Sequence, residues 1–439
     1  MLRHPKEKRV PLSSLLSRRE FLRKSAASAA GIPLAGALLA ACKKPGTTPT
    51  GPEGQTIPLA RPDNPVTLPL FDDNPAIQSG LKPEAGPLKL YNWDQYIYKS
   101  VVEKFADEMG IDVEISTFNN MDEALNKIRS APLDFDIFFP TTDVLGKMAA
   151  FNLIQPINHD YVPNLKNVWP EYSDPDMPYY DVGQRYTVPY AVYTTGIGWR
   201  NDLVDEKDWP STREADGRNP YDALWESKYK GKVGVYDDYR EAIGMALLRN
   251  GGTDINTADS AELGEAKTAL IDMIDKVNVG LSINGAYEEL PKGVFEIHQA
   301  WSGDIIAAPY YGKANAGHTA PLLSYWWPKD KKGVVGNDCI AILKTSKNPV
   351  LAHLFLNYML DFDNAMKNFS WVGYQMPQND APPEAFGDPG FRWNWIVYPN
   401  LINTIVKKED FDKGYILLEL PPDVDSKWHD NWEEFTSGV

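Results

Sequence analysis

Cysteine and histidine are both scarce in this 439-residue chain, which has two cysteines and six histidines. Cys42 and Cys339 are too few and too far apart to form the disulfide framework of a small secreted domain. The histidines are scattered, and no two have the spacing of a metal-binding pair. The sequence therefore excludes a disulfide scaffold and argues against a zinc enzyme. The apolar neighbours of Cys339 predict a buried structural thiol.

Motifs for nucleotide and ester chemistry are also absent. The sequence contains neither a Gly-x-x-x-x-Gly-Lys-Ser/Thr phosphate loop nor a Gly-x-Ser-x-Gly nucleophile elbow. We therefore expect no cofactor. A secreted glycosidase stays open at this point, because its pair of carboxylates leaves no local spacing signature.

Basic residues are outnumbered, with 44 Lys and Arg against 60 Asp and Glu and a formal net charge of −16. This balance argues against a nucleic-acid partner, which requires a basic face to displace phosphate counterions. It mildly favours a cationic partner. After the first 41 residues, no apolar run reaches the roughly 18 residues that a membrane span needs.

Residues 1–41 have the composition of an export signal. Eight basic residues precede a short stretch rich in Ala and Leu, and residues 17–24 (SRREFLRK) resemble a twin-arginine signal. The stretch ends in residues 39–42 (LAAC), which resemble a bacterial lipobox and imply lipid attachment to Cys42. The alternative is an ordinary leader in which this cysteine has no role. We expect a lipid-anchored protein in a periplasm or on the outer face of the cell membrane.

The rest of the chain predicts a tether followed by two α/β lobes. Residues 42–86 are rich in Pro, Gly, Thr and Asp and lack a helical or strand period, which is typical of a flexible tether. From Leu88 onwards, strand and helix patterns alternate, which predicts parallel sheets covered by helices. About 350 residues exceed one core, so two lobes are expected.

Aromatic residues stand beside carboxylates at four places where a strand gives way to a helix or a turn. Since ligands of open α/β sheets collect at the carboxyl ends of strands, the four clusters could meet in one cleft. Aromatic faces and carboxylates suit an organic cation. The clusters are Trp93-Asp94 with Tyr96, Asp238 with Glu241, Trp301 with Asp304, and Asp338.

Each cluster also has a purely structural interpretation. Asp238 and Glu241 are spaced as a capping box at the start of a helix. Trp93 and Trp301 could be core residues. Asp304 and Asp338 could be turn or cap residues, and these alternatives stay open on spacing alone.

A series of motifs resembles the spermidine/putrescine-binding proteins, the extracytoplasmic receptors of polyamine ABC importers. The motifs occur in family order over nearly the whole body of the chain. They are Leu90-Tyr91-Asn92-Trp93-x-x-Tyr96, Pro140-Thr141-Thr142, Val188-Pro189-Tyr190, Lys228-Tyr229-Lys230-Gly231, Asp237-Asp238-x-Arg240-Glu241, Trp326-Trp327-Pro328-Lys329 and Gly373-Tyr374 with Pro377 and Asn379.

The resemblance implies a two-lobed, class II periplasmic-binding-protein fold of the α/β class, with a ligand cleft at the hinge. One lobe would hold residues 87–193 and 336–380, and the other residues 194–335 and 381–439. The implied protein is a monomeric, non-enzymatic receptor that closes on a polyamine and delivers it to a membrane permease. The implied ligand-binding residues are Trp93, Asp94, Tyr96, Thr141, Asp143, Asp238, Glu241, Trp301, Asp304, Asp338 and Tyr374.

Three positions depart from the family pattern. Asp94 and Asp143 are extra carboxylates, and Gly336 replaces a bulky aromatic residue that often precedes Asp338 by two. We therefore expect a wider and more anionic cleft. A ferric-iron or other cation receptor on the same scaffold is the alternative, with Tyr179-Tyr180 and Tyr310-Tyr311 as candidate phenolates; a carboxylate-based glycosidase is less favoured.

Overall fold

The computed structural model describes residues 57–130, 135–313, 315–328, 333–381 and 399–439. The predicted signal peptide, Cys42 and the first part of the predicted tether lie outside these residues. Within the described ranges, no helix combines the length and the apolar character needed to cross a membrane.

Ten strands of the described chain form one sheet. The strands are β1 (Leu88–Trp93), β2 (Val113–Phe118), β3 (Ile137–Phe138), β4 (Ile154–Gln155), β5 (Thr187–Arg200), β6 (Val233–Val235), β7 (Gly280–Leu281), β8 (Ile297–Trp301), β9 (Leu323–Trp326) and β10 (Val334–Leu343). The helices are α1 (Lys99–Met109), α2 (Met121–Ser130), α3 (Leu145–Ala150), α4 (Pro170–Ser173), α5 (Pro210–Ala215), α6 (Tyr239–Arg249), α7 (Ser260–Val277), α8 (Ser302–Ala307), α9 (Ala316–Thr319), α10 (Pro349–Met359), α11 (Phe362–Val372), α12 (Lys408–Lys413) and α13 (Pro422–Thr436).

The strand order is β2-β1-β3-β10-β5-β8-β6-β7, with β4 paired to β10 and β9 to β5. The flanks are parallel, as the alternating pattern predicts: β1 pairs in this way with β2 and β3, and β6 with β7 and β8. The centre of the sheet is antiparallel. β5 runs antiparallel to β10 and to β8, and β10 also runs antiparallel to β3. The two strands therefore connect two parallel flanks, which we call the first lobe (β1–β4) and the second lobe (β6–β9).

Strands β5 and β10 are buried along almost their whole length, and all ten residues of β10 are buried. Their register shifts between Asp338 and Cys339, so that Asp338 pairs with Ala191 and Cys339 with Pro189. Tyr190 is the additional residue of this irregularity. A bulge redirects neighbouring side chains and tolerates a proline that an even ladder would exclude. Cys339 is fully buried, which confirms its prediction as a structural thiol.

Each flank has its own apolar core. In the second lobe, residues of β6, α6, α7 and α13 pack together, including the fully buried Trp428. In the first lobe, a cluster beneath β1, β2 and β3 includes Tyr91, Phe118 and Phe138. The largest cluster passes between the lobes beside β5 and β10.

The end of the first helix also agrees with its sequence signal. α1 ends at Gly110, whose φ of 65° is the left-handed conformation that glycine adopts without strain.

Residues 57–86 differ from the predicted flexible tether, because they lie against the first lobe. Leu68 is fully buried in the cluster beneath β1, and Asn74 donates to the carbonyl of Ile154 at 2.8 Å. Glu84 accepts hydrogen bonds from the backbone N–H groups of Val350 and Leu351 at the start of α10. The segment has almost no regular structure because side chains and loops of the body satisfy its backbone. Composition alone could not distinguish this arrangement from a free linker.

We expect Leu68→Ala to destabilise the protein by about 2–5 kcal/mol, because it would leave a cavity in the core of the first lobe. Leu70→Ala, two residues away, is the matched control, since Leu70 is 58% exposed whereas Leu68 is 0% exposed. Its effect should stay within about 0.5 kcal/mol. Urea denaturation of the three proteins measures both values. Equal stability of all three would show that the segment does not contribute to the fold.

Candidate functional site

A cavity of about 360 Å³ lies where the two lobes face each other across β5 and β10. Its lining comes mainly from residues that follow β1, β3, β6 and β8, together with the middle of β10. All eleven side chains predicted to bind ligand line it: Trp93, Asp94, Tyr96, Thr141, Asp143, Asp238, Glu241, Trp301, Asp304, Asp338 and Tyr374. The structure thus brings the four sequence clusters together at one place.

Asp338 projects into the cavity from the bulge in β10. The Tyr96 hydroxyl donates a hydrogen bond of 2.7 Å to its Oδ2, while Oδ1 is buried without a protein partner among the described residues. Asp338 is therefore a residue within a strand and not the turn residue that spacing alone allowed. The bulge turns its carboxylate towards the cavity.

Glu241 stands in the first turn of α6. Its Oε1 accepts hydrogen bonds from the Trp301 indole N–H at 2.8 Å and from the Thr195 hydroxyl at 3.1 Å. Its Oε2 is buried and has no protein partner in the described chain. Asp238 caps the same helix, accepting from the backbone N–H groups of Arg240 and Glu241. Half of the capping box is thus present, because Glu241 turns towards Trp301 instead of back to Asp238.

Asp304 lies deep in the cavity, in the first turn of α8. The Tyr374 hydroxyl donates to its Oδ1 at 2.6 Å, and the Tyr236 hydroxyl donates to its Oδ2 at 2.7 Å. The backbone N–H of Trp301 in turn donates to the Tyr236 oxygen, and the Tyr236 and Trp301 rings stack at 3.8 Å. The carboxylate of Asp304 is therefore held by two phenols and does not cap the helix, whose N-cap residue is Trp301.

Burial raises the pKa of four carboxyl groups in the cavity, those of Asp238, Glu241, Asp304 and Asp338. The pKa of Glu241 rises to about 8 because of burial first and the charge of Asp238 second. Burial raises the pKa of Asp304 and of Asp338 to about 7, and that of Asp238 to about 6. The side-chain hydrogen-bond donors around Glu241, Asp304 and Asp338 are neutral hydroxyl and indole groups. The charge of Arg240 lowers the pKa of Glu241, but this effect is smaller than the effect of burial. A carboxylate desolvated without a counter-ion prefers its protonated form.

Two other acidic residues of the cavity lining, Asp143 and Asp425, have cationic partners. Arg240 lies 3.6 Å from Asp143 and donates to the Leu418 carbonyl, while Lys147 contacts Asp425 at 2.7 Å. The additional carboxylate at position 143 is thus partly compensated. Asp143 therefore has a counter-ion in Arg240, whereas Asp94 forms no ion pair with another of the described residues.

Aromatic rings form the remaining walls. Trp93 lines one side and donates its indole N–H to the Phe139 carbonyl at 3.1 Å. Tyr96 and Tyr374 meet edge to face, with ring centroids 4.7 Å apart. Trp93 and Trp301 are the last residues of their strands, and both line the cavity. Neither is therefore only a core residue. Thr141 adds a small polar side chain opposite Asp338.

The cavity is not open beside Gly336, although this residue has no side chain. A Cβ atom built on Gly336 would lie 2.8 Å from the Cζ and hydroxyl oxygen of Tyr193. The Tyr193 ring therefore occupies the space beside the glycine and lines the cavity. Tyr193 is not among the predicted site residues, because the sequence pattern does not predict β5 as a strand. The cross-strand pairing of Gly336 with Tyr193 supplies the signal that the sequence lacked.

The tyrosine pairs considered as iron ligands do not form a common site. The Tyr180 hydroxyl bonds to Asn337, and burial raises its pKa well above the ordinary value, which opposes phenolate formation. Of the four tyrosines, only Tyr311 is among the described residues that line the cavity. The described chain also contains no group of three His, Cys, Asp or Glu residues placed to hold a metal ion.

The sequence profile of the bacterial extracellular solute-binding proteins matches residues 100–388. The chain belongs to this family. Spermidine/putrescine-binding periplasmic protein 1 of Haemophilus influenzae is 27% identical over 344 residues, which are 76% of this solute-binding protein and 88% of the relative. The spermidine/putrescine-binding periplasmic protein of Escherichia coli is 29% identical over 293 residues, 66% of this chain and 77% of the relative.

A solved structure from Listeria monocytogenes, described as a spermidine/putrescine ABC transporter, superposes on this solute-binding protein with a TM-score of 0.65. It is 25% identical, and the match covers 80% of this chain and 98% of that one. The expected two-lobed α/β fold is confirmed. The family and these relatives are binding proteins of transport systems and not enzymes.

The raised pKa values predict that the ligand-free protein loses stability from pH 7 to pH 8. The folded state retains protons on Glu241, Asp304 and Asp338 that the unfolded chain has released, so deprotonation favours unfolding. His298 opposes this trend only weakly, because its pKa of about 4 leaves it neutral in the folded state, and the unfolded histidine is mostly neutral above pH 7. Thermal melting should show a lower Tm at pH 8.

Glu241→Gln is the control for this measurement. Removing the group with the highest of these three pKa values should reduce the dependence of Tm on pH. A wild-type Tm that rises from pH 7 to pH 8 would contradict the protonation states inferred for the cavity.

Proposed function

We propose that this solute-binding protein is the extracytoplasmic receptor of an ABC importer and that it binds polyamines such as spermidine and putrescine in the cavity. The observation that carries the proposal is that three buried carboxylates, Glu241, Asp304 and Asp338, accept side-chain hydrogen bonds only from neutral groups within the described chain. Ammonium groups of a ligand would supply the missing charges. The spermidine/putrescine-binding relatives support the same ligand class.

Two orphan acceptors support ammonium binding at separate places. Glu241 Oε2 and Asp338 Oδ1 are both buried without a protein partner among the described residues. A buried acceptor without a hydrogen bond is costly, so each atom favours a ligand N–H. Glu241 belongs to α6 and Asp338 to β10, and each retains its own neutral donors. An extended cation with an amine at each end satisfies both groups.

The placement of these carboxylates on different elements of the fold argues against a metal ion. A cation such as ferric iron needs ligand atoms that converge on one point, whereas these carboxylates do not form a cluster of that kind in the part of the chain described. Aromatic walls further favour an organic chain, because they cover methylene groups and attract ammonium groups. The polyamine proposal is therefore preferred over an iron receptor, and a glycosidase has no support in the family.

We propose that the lobes divide within β5 and β10, with residues 87–193 and 336–380 in one lobe and residues 194–335 and 381–439 in the other. In the described part of the chain, β5 and β10 are the strands that cross the boundary, and a further crossing lies between residues 380 and 381. Bending at these crossings would open the cleft. Asp143–Arg240 and Lys147–Asp425 join side chains on opposite sides of this boundary. Such contacts form as the lobes approach, and closure removes the ligand from water.

The proposed cellular setting rests on the sequence of residues 1–42. Twin-arginine export and lipid on Cys42 would hold a monomeric receptor at the outer face of a membrane, where a permease takes the ligand. The relatives described as periplasmic binding proteins support this setting. No catalytic step is part of the proposal.

The direct test is isothermal titration calorimetry of the purified protein, refolded to remove bound ligand, with spermidine, putrescine and ferric citrate. We expect saturation by a polyamine at one site per chain with micromolar or tighter affinity, and no heat from ferric citrate. Folded protein that binds no polyamine would overturn the proposed ligand class. Saturation by iron would favour the alternative receptor.

Removing one carboxylate charge should weaken polyamine binding. We expect Glu241→Gln and Asp338→Asn each to cost about 2–5 kcal/mol, because a ligand ammonium would be buried without its partner. Asp107→Asn is the matched control, since Asp107 is an exposed residue of α1 outside the cavity. Titration of the four proteins compares their affinities. Wild-type affinity in both cavity variants would place the ligand elsewhere.

Polyamine binding should release protons at pH 7. An ammonium beside a carboxylate stabilises its charged form and lowers its pKa, and Glu241, Asp304 and Asp338 start from values of about 8, 7 and 7. Affinity should therefore increase from pH 6 to pH 8. Calorimetry in buffers of different ionisation enthalpy counts the released protons. Uptake of protons on binding would contradict this site.

A further inference from the structure

We propose that Tyr193 forms the wall of the binding cleft beside Gly336 and that its ring contacts the bound polyamine. This inference rests on the proposed function. It concerns a side chain that none of the four sequence clusters contains, and it assigns Gly336 a role as the residue that makes room for that ring.

The geometry of β5 and β10 makes the two positions interdependent. Tyr193 and Gly336 are direct partners across the antiparallel pair, so their side-chain positions lie on the same face of the sheet. A Cβ at position 336 would approach both the Cζ and the hydroxyl oxygen of Tyr193 to 2.8 Å. Real Cβ atoms do not make such contacts. A larger residue at 336 is therefore compatible only with a small residue at 193.

The Tyr193 ring is placed among the groups proposed to bind the ligand. It meets the Trp301 ring at a centroid distance of 6.4 Å and an interplanar angle of 69°. Burial raises the pKa of its hydroxyl well above the ordinary value, and the charges of Asp338 and Glu241 add to this effect. The hydroxyl therefore stays neutral. Among the residues that the structure describes, none forms a hydrogen bond with it.

These properties suit a contact between the two proposed ammonium positions. The aromatic face can cover methylene groups and attract a nearby ammonium, while the neutral hydroxyl oxygen can accept an N–H bond from the ligand. Gly336 provides neither contact. The bulky residue expected at 336 is thus replaced by a ring from the neighbouring strand, and the cleft is not widened at this wall.

The test is a double-mutant cycle on the purified protein, with spermidine affinity and ligand-free Tm as separate readouts. The variants are Tyr193→Gly, Gly336→Phe, the double variant, and Tyr193→Phe. Gly264→Phe in α7 is the matched control, because a Cβ added there meets no atom within 4 Å. We expect this control to match the wild type in both readouts.

Tyr193→Gly should weaken spermidine binding about tenfold or more, consistent with loss of a partly desolvated cation–π contact. Tyr193→Phe should lose less, because it retains the ring. Gly336→Phe should lower Tm through the steric clash, and the double variant should recover both Tm and an affinity within about threefold of the wild type.

Two outcomes would overturn the inference while leaving the proposed function intact. Wild-type spermidine affinity of folded Tyr193→Gly would show that the ring does not contact the ligand. Additive losses in the double variant would show that the two positions do not form one wall. By contrast, a wild-type protein that binds no polyamine would overturn the proposed function and, with it, the ligand contact of Tyr193.

Discussion

The cleft depends on carboxyl groups that are buried beside neutral hydrogen-bond donors. Phenol, indole and hydroxyl groups orient the carboxylates of Glu241, Asp304 and Asp338 without neutralising them. An arginine or lysine in the same positions would stabilise the empty protein and remove its attraction for a cation. The cations of the cavity lining, Arg240 and Lys147, instead form ion pairs with Asp143 and Asp425. The empty site therefore favours the protonated form of these groups, and a multiply charged cation would favour their charged form.

The central strands make this arrangement possible. Because β5 and β10 belong to both flanks, the groups that face the cavity are fixed by a continuous sheet and not by flexible loops alone. The bulge at Asp338 adds a second constraint, since one additional residue in β5 changes the face to which the following side chains point. The proposed hinge and the proposed binding group Asp338 therefore belong to the same two strands.

Much of the fold and the site could be predicted because strand ends carry local signals. The Trp93 and Asp238 clusters follow short apolar strands, and Gly110 marks the end of a helix. β5 was missed because it is buried on both faces, so that no alternation appears, and because it contains Pro189, which the bulge accommodates. Tyr193 was missed for the same reason. The predicted tether was wrong for residues 57–86, because they pack against the first lobe. Nothing in the sequence indicates this packing, since the segment forms almost no helix or strand and so has no periodic pattern.

The packing of residues 57–86 also determines where a mechanical load on the amino terminus is applied. Leu68 is anchored in the core of the first lobe, and Glu84 holds the start of α10. A pull along the chain from upstream is resisted by these contacts before it reaches β5 or β10. In the proposed lipid-anchored receptor, the first lobe would therefore be the stationary part, and the second lobe would rotate about the proposed hinge without pulling on the anchor.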